Sequence, residues 1–186
     1  MTALLDFARA LEFAALKHID QRRKGVRAEP YLNHLSEVAF LVAEATEGKD
    51  PVAVIAALLH DTLEDTDASY EEIERLFGAE VASVVAETTD DKRLRKAERK
   101  QRQIDAAPTA SPRAKLVKLA DKVSNLRSMA HSPPADWPQE RKVEYFEWAH
   151  AVVAGLRGID ARLEALFDRA YEDGLAELRG DTLLKG

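Results

Sequence analysis

Residues 51 to 67 read PVAVIAALLHDTLEDTD, and this stretch indicates both the fold and the chemistry of the chain. Its first half is apolar from Val52 to Leu59, so a helix here would be apolar on nearly every side and would lie inside a helical core. These eight residues are too few for a membrane span, which needs about 18. The second half, from His60 to Asp67, contains one histidine and four acids. The stretch therefore predicts a central helix that ends in a cluster of titratable groups.

Outside this stretch, apolar residues recur at intervals of three and four, which predicts an all-α fold. Capping residues, prolines and glycines set the expected helix ends; Asp50 and Pro51, for example, begin the central helix. We expect one compact domain over residues 1–186, with residues 166–186 forming a C-terminal helix and tail. The pattern predicts about nine helices, at 3–22, 32–47, 51–64, 69–78, 80–88, 94–106, 112–130, 138–156 and 160–178.

The composition narrows the classes of function. Lys and Arg number 27 against 33 Asp and Glu, and the resulting net charge of −6 disfavours nucleic acid as a partner. The sequence has no cysteine, which excludes disulfides, thiolate metal sites and cysteine nucleophiles. Basic residues cluster at 22–27 and 92–102, a distribution that suits a small anionic ligand better than a polymer. We expect a cytoplasmic protein with no membrane segment.

The acids of the central stretch are crowded. His60 and Glu64, like Asp61 and Asp65, are four residues apart and would lie side by side on one helical turn. Like charges at this spacing cost about 0.2–0.5 kcal/mol, and acids near a helix C-terminus oppose its dipole. A bound cation would offset both effects, with His60 and Asp61 as its ligands. The alternative is that Asp65 or Asp67 caps the next helix and that His60 is an interior histidine.

Residues elsewhere in the chain fit the cation hypothesis. His34 lies on the apolar stripe of its predicted helix and points inward. Asp121 adjoins the apolar stripe of the helix predicted at 112–130, where an acid is rarely buried unless it is paired or bound to a metal. Asn125, four residues on, shares the face of Asp121 and is placed to hydrogen-bond it. Two histidines and two aspartates form a mixed nitrogen and oxygen donor set that suits Mn²⁺ or Fe²⁺ better than Mg²⁺ or Zn²⁺.

The ordered pattern His34…His60-Asp61…Asp121 resembles the H…HD…D signature of the HD phosphohydrolase superfamily. The sequence is most similar to the hydrolase domain of RelA/SpoT proteins, especially the small alarmone hydrolases of the metazoan SpoT homologue type. The resemblance covers roughly residues 8–165. Beyond the four signature residues, it rests on the stretches 22–24, 30–34, 56–66, 89–92, 117–127 and 145–149.

This resemblance implies a mainly helical HD-type domain and the Mn²⁺-dependent hydrolysis of guanosine 3′,5′-bis(diphosphate) at the 3′ position. Pyrophosphate is the implied product. The molecule that the protein binds is implied to be a guanine nucleotide rather than nucleic acid or membrane. Fe²⁺, Mg²⁺ or Zn²⁺ are possible substitutes for Mn²⁺. The resemblance also implies roles for particular residues. They are the metal ligands His34, His60, Asp61 and Asp121, the catalytic acids Glu64 and Asp65, and the nucleotide contacts Arg23, Lys24 and Asn125.

Some features leave other hypotheses open. Leu35 stands where the family usually has proline, and the loop at 25–30 differs from the family's usual sequence. The same metal site would serve an HD phosphohydrolase that acts on NADPH, at its 2′-phosphate, or on another nucleotide. A non-catalytic nucleotide-binding sensor is a further hypothesis, which the intact Glu64–Asp65 pair disfavours. The basic segment at 92–102 is expected to form a solvated amphipathic helix rather than a substrate-binding surface.

Overall fold

The structure, a computed structural model, describes residues 2–179 and confirms the all-α prediction. In this range the β-type pairing is a single isolated antiparallel bridge between Arg22 and Pro30. None of the helices between residues 2 and 179 combines the length and apolar character that a membrane crossing requires. Residues 180–186, which belong to the predicted C-terminal tail, lie outside the described residues.

Ten α-helices and one 3₁₀ turn, at Ala107–Thr109, follow one another in the described part of the chain. The helices are α1 Ala3–Lys17, α2 Leu32–Ala45, α3 Pro51–Leu59, α4 Thr62–Asp65, α5 Tyr70–Phe77, α6 Ala79–Thr88, α7 Lys96–Ala106, α8 Pro112–His131, α9 Gln139–Ala154 and α10 Ala161–Arg179.

Helix α3 lies at the centre of the core, as its apolar sequence predicts. The Asp50 carboxylate accepts the Ala53 amide at 3.1 Å, and Pro51 occupies the first turn, so the start of the helix is fixed as expected. Every residue from Ala53 to Leu59 is buried. Helices α1, α2, α6 and α8 pack against α3, which explains why nearly all its faces are apolar.

The prediction of one continuous helix over 51–64 is wrong, because the chain breaks at His60 and Asp61. Helix α3 ends at Leu59, and the short helix α4 begins at Thr62. The Nδ1 atom of His60 lies 2.7 Å from the Ala57 carbonyl oxygen, which in an uninterrupted helix would accept the amide of Asp61. This side-chain bond competes with the helical one. His60 and Asp61 keep right-handed backbone angles, so the break is local and both residues stay at the end of the buried helix.

Helices α2 and α8 lie beside the end of α3 and pack against each other as well as against α3. Helix α2 buries His34 among its apolar residues. Helix α8 buries Lys118, Lys122 and Ser124, although polar and charged side chains are rarely buried without partners. The buried polar residues of α2 and α8 therefore indicate where the functional site lies.

Helix α10 packs against α8 and α9. Gly174 of α10 packs directly on the ring of Phe146 in α9, and a Cβ atom at this position would lie 2.3 Å from the Phe146 Cε1 atom. Phe146 is fully buried, so its ring has no free space to move into.

We predict that Gly174→Ala destabilises the protein, although alanine is normally the better helix former. The added methyl group overpacks the contact with Phe146, which should lower the free energy of unfolding by about 1–3 kcal/mol. Urea unfolding followed by circular dichroism measures the change. Glu172→Ala, at an exposed position of the same helix, is the control and should stay within about 0.5 kcal/mol of wild type. A stabilised Gly174→Ala protein would contradict the packing described here.

Candidate active site

The predicted metal ligands His34, His60, Asp61 and Asp121 meet at one point beside the end of α3. The Nε2 atom of His34 lies 3.2 Å from Asp121 Oδ1 and 3.6 Å from Asp61 Oδ2. The Nε2 atom of His60 lies 3.2 Å from Asp61 Oδ2 and 3.6 Å from Asp121 Oδ1. Residues separated by up to 87 positions in the sequence thus present two nitrogens and two oxygens to one small volume.

The donor atoms fit a divalent metal ion. Both Nε2 atoms are buried and have no hydrogen-bond partner, which is costly for a polar atom unless a ligand satisfies it. Atoms of His34, His60 and Asp121 lie within 4.8 Å of one another, close enough to bind one ion. Asp61 provides a second carboxylate, whose Oδ2 atom lies near the Nε2 atoms of both histidines. Imidazole with carboxylate is a donor set for a first-row divalent ion with open positions for substrate.

The electrostatics of the cluster also favour a cation. Burial opposes ionisation of both aspartates. The neighbouring His60 and His34 nevertheless hold the pKa of Asp61 well below its usual range. Lys122 and the same two histidines do so for the pKa of Asp121. Burial likewise opposes protonation of His60, but the two carboxylates raise its pKa to about 10. A partly buried pair of carboxylates that makes its histidine basic is a site that attracts positive charge.

Asp121 is held in place by neighbours on its own helix. Lys122 donates from Nζ to Asp121 Oδ2 at 2.8 Å, and the Lys122 ammonium lies 4.8 Å from the centre of the Trp148 ring. The expected pair across one helical turn forms, because the Asn125 amide donates to Asp121 Oδ1 at 2.6 Å. Arg23 donates in turn to the Asn125 side-chain oxygen at 2.9 Å. Arg23 and Asn125, both predicted nucleotide contacts, are therefore connected to the cluster of histidines and aspartates.

Tyr31 is a site residue that the sequence analysis did not single out. Its hydroxyl donates to Asp61 Oδ2 at 2.6 Å, and burial together with the Asp61 charge raises the pKa of Tyr31. The ring stacks on the buried His18, at 5.3 Å between centres, and contacts His34 edge-on. The available signal was its spacing, since Tyr31 precedes His34 by three residues and so lies one turn away from it.

The predicted catalytic acids lie on α4, just past the break. Glu64 is half-buried; its Oε2 atom accepts the Asp90 amide at 3.1 Å, and its Oε1 atom lies 3.7 Å from Arg99 NH1. Burial, with the nearby charges of Asp90, Asp61 and Asp65, raises the pKa of Glu64, although the Asp90 amide acts in the opposite direction. A carboxyl whose pKa is raised is better suited to carrying a proton near neutral pH.

Asp65 has a different environment from Glu64. Lys92 donates to Asp65 Oδ1 at 2.5 Å, and Gln21 donates to Oδ2 at 2.9 Å. Asp65 also lines an open cleft of about 230 Å³, whereas Glu64 does not. The two neighbouring acids therefore differ in both partners and exposure.

This cleft adjoins the cluster of histidines and aspartates through Tyr31 and Asn125, which hydrogen-bond Asp61 and Asp121. Basic and aromatic side chains line it together. They include the predicted contacts Arg23, Lys24 and Asn125, and the aromatic residues Tyr31, Trp137 and Tyr145. A cleft of this composition suits an anionic ligand that carries a flat ring.

The basic segment at 92–102 is only partly the solvated face that its sequence predicts. Arg93 and Arg95 are exposed and pair with acids of the same segment or next to it. Lys92 and Arg99, in contrast, face the acids Asp65 and Glu64 of the site. Lys100 lies over the Trp148 ring at 5.0 Å. The sequence could not assign these partners because they come from α4 and α9, which are distant in the chain.

Comparison with known proteins identifies close relatives. A family model for the HD domain matches residues 10–155. Guanosine-3′,5′-bis(diphosphate) 3′-pyrophosphohydrolase MESH1 of Homo sapiens is 51% identical over 163 residues, which cover 88% of this chain and 91% of the relative. The Drosophila melanogaster protein of the same name is 48% identical over 165 residues, which cover 89% and 92% of the two chains.

A solved structure shows the same fold. It is that of a metazoan ortholog of SpoT that hydrolyzes ppGpp and plays a role in starvation responses. It matches this chain with a TM-score of 0.87 and 47% sequence identity, over 90% of this chain and 94% of the other. The two chains are therefore similar in both fold and sequence.

We predict that the wild-type protein binds one Mn²⁺ per chain and that His60→Ala abolishes this stoichiometric binding. The substitution removes one of two buried nitrogens and leaves two carboxylates that bind the ion weakly by themselves. Free Mn²⁺, measured by its electron paramagnetic resonance signal during a titration, gives the stoichiometry. His150→Ala, which removes an exposed histidine of α9, should bind like wild type. One-to-one binding by His60→Ala would exclude His60 as a ligand.

Proposed function

The chain belongs to the HD domain family, and we propose that it hydrolyses guanosine 3′,5′-bis(diphosphate) at the 3′ position, giving GDP and pyrophosphate. The 5′-triphosphate form of the same nucleotide would give GTP. The observation that carries this proposal is the convergence of His34, His60, Asp61 and Asp121 beside a basic cleft, in a chain about half identical to enzymes named for this reaction.

We propose that these four residues hold one Mn²⁺ ion. The mixed nitrogen and oxygen donors favour Mn²⁺, with Fe²⁺, Mg²⁺ and Zn²⁺ as weaker candidates. A divalent cation in such a site supplies Lewis-acid polarisation of a phosphoryl oxygen and makes water more acidic. Tyr31 and Lys122 would keep the two carboxylates oriented, because each donates to one of them.

The cleft provides the groups that bind the substrate. Arg23 and Lys24 would hold the 3′-diphosphate by charge-assisted hydrogen bonds, and Asn125 would fix the orientation of Arg23. The aromatic rings of Trp137 and Tyr145 offer flat surfaces on which a purine base could stack. Each subsite of the cleft therefore matches one part of a guanine nucleotide that carries a second diphosphate.

The acid pair on α4 would carry out the proton transfers. In the reaction, the oxygen of water forms a bond to the phosphorus attached to the ribose O3′, and the P–O3′ bond breaks. Glu64, with its raised pKa, would take a proton from the attacking water and return one to the departing O3′. Asp65, which faces the cleft and is fixed by Lys92 and Gln21, would position the water.

The first test is product analysis. Purified protein with Mn²⁺ and guanosine 3′,5′-bis(diphosphate) should form GDP and pyrophosphate in equal amounts, and EDTA should stop the reaction. Chromatography against authentic GDP establishes which diphosphate is removed, since cleavage at the 5′ position would leave guanosine 3′-diphosphate instead.

NADPH incubated in parallel separates the hypotheses. Phosphate release from NADPH alone would contradict the proposed substrate while keeping the metal chemistry. Nucleotide binding without turnover of either compound would contradict the assignment as an enzyme and favour a sensor.

We predict that Glu64→Gln and Asp65→Asn each lower kcat by about 10²–10⁴-fold, because each removes a group that handles or positions a proton. Both variants keep the four proposed ligands, so they should still bind one Mn²⁺ per chain. Steady-state pyrophosphate release and Mn²⁺ titration measure the two properties separately.

The matched control is Asp67→Asn, which changes an exposed acid of the same cluster that pairs with Lys17 instead of facing the site. Its kcat should equal that of wild type. Turnover at the wild-type rate by the double variant Glu64→Gln, Asp65→Asn would remove the pair from the mechanism.

A further inference from the structure

His34 contacts a chain of groups that the proposed mechanism does not use. Its Nδ1 atom lies 2.9 Å from the hydroxyl oxygen of Ser124, which is 1% exposed. That hydroxyl donates to Glu37 Oε2 at 2.7 Å, and Arg127 donates to the other Glu37 oxygen at 3.0 Å. Glu37 follows His34 by three residues on α2, and Ser124 follows Asp121 by three on α8, so the chain of groups links the two helices one turn beyond the ligands.

The directions of these hydrogen bonds are fixed by how many protons each group has. A carboxylate only accepts, and the pairing of Glu37 with Arg127 is that of a charged acceptor. The single proton of the Ser124 hydroxyl is therefore directed to Glu37. The oxygen of Ser124 then has only a lone pair to offer His34, so the Nδ1 atom of His34 must carry a proton.

We propose that Glu37 and Ser124 are positioning residues that keep the proton of His34 on Nδ1 and leave its Nε2 lone pair free for the metal. The proposal rests on the metal site described above. A competing state is available, because Asp121 Oδ1 lies 3.2 Å from His34 Nε2 and would accept a proton carried there. A proton on Nε2 would block this ligand. The hydrogen bonds from Ser124 to Glu37 and from His34 to Ser124, here called the relay, disfavour that state.

His60 shows why the relay is specific to His34. The Nδ1 atom of His60 donates to the main-chain carbonyl of Ala57, so the backbone itself fixes the position of its proton. His34 has no such backbone partner at Nδ1 and depends on a side chain from another helix. Substitution of Glu37 should therefore affect one ligand only.

Glu37→Gln is the informative substitution. It preserves the size of the side chain, but the amide that it introduces can donate to Ser124 and reverse the relay, so that Ser124 donates to His34 Nδ1. The matched control is Glu44→Gln on the same helix. Glu44 pairs with Arg162 at 2.9 Å, and its side chain is 34% exposed, the same fraction as Glu37, but it has no connection to a proposed ligand.

We expect Glu37→Gln to weaken Mn²⁺ binding by about 10- to 100-fold, the effect usual for groups that orient a metal ligand. Glu44→Gln should bind within about twofold of wild type, and both variants should unfold at similar temperatures because each loses one surface pair. Excess Mn²⁺ should restore most of the kcat of Glu37→Gln. Unchanged affinity in Glu37→Gln, or an equal loss in Glu44→Gln, would overturn the proposal.

A second measurement needs no metal. Long-range ¹H–¹⁵N spectra of the metal-free protein report which ring nitrogen of His34 carries a proton. We expect a proton on Nδ1 in wild type and its loss from Nδ1 in Glu37→Gln. A wild-type spectrum without that proton, or a variant spectrum identical to wild type, would overturn the relay. Because this result is independent of turnover, failure of the relay is distinguishable from failure of the proposed reaction.

Discussion

Two buried imidazole nitrogens without hydrogen-bond partners face two partly buried carboxylates at the end of α3, and this arrangement constrains the residues around it. Such a cluster is costly to bury unless a cation joins it. Its cost explains why α8 buries Lys122 against Asp121 and why Tyr31 is packed onto Asp61. The surrounding charges and hydroxyls keep the carboxylates ionised and oriented toward the position where a metal would bind.

The fold supplies this geometry through one local interruption. If α3 continued past Leu59, Asp61 and Glu64 would follow a regular helical path and could not be directed independently. The bond from His60 to the Ala57 carbonyl lies where the helix ends, so His60 and Asp61 remain at its buried end. Helix α4 then places Asp65 on the cleft and Glu64 against Asp90 and Arg99. The proposed ligands His60 and Asp61 thus lie close in sequence to the proposed proton-transfer groups but occupy a different environment.

The sequence predicted those features that depend on local patterns. The apolar period identified the central helix, and the spacing of Asp121 and Asn125 predicted the hydrogen bond that they form. The sequence pattern did not predict the break at His60. There the His60 side chain competes with a backbone amide for the Ala57 carbonyl, and the spacing of apolar residues does not reveal such a competition. It also missed the pairing of Lys92 with Asp65 and of Ser124 with Glu37, because those contacts join segments far apart in the chain.

We propose that four side chains bind one divalent ion beside the acid pair. Diffraction from crystals grown with Mn²⁺, recorded at the manganese absorption edge, locates the ion directly. We expect one anomalous peak per chain, within bonding distance of His34, His60, Asp61 and Asp121. A peak bound instead by Glu64 and Asp65, or an ion that leaves both Nε2 atoms uncoordinated, would show that the four side chains are not the ligands.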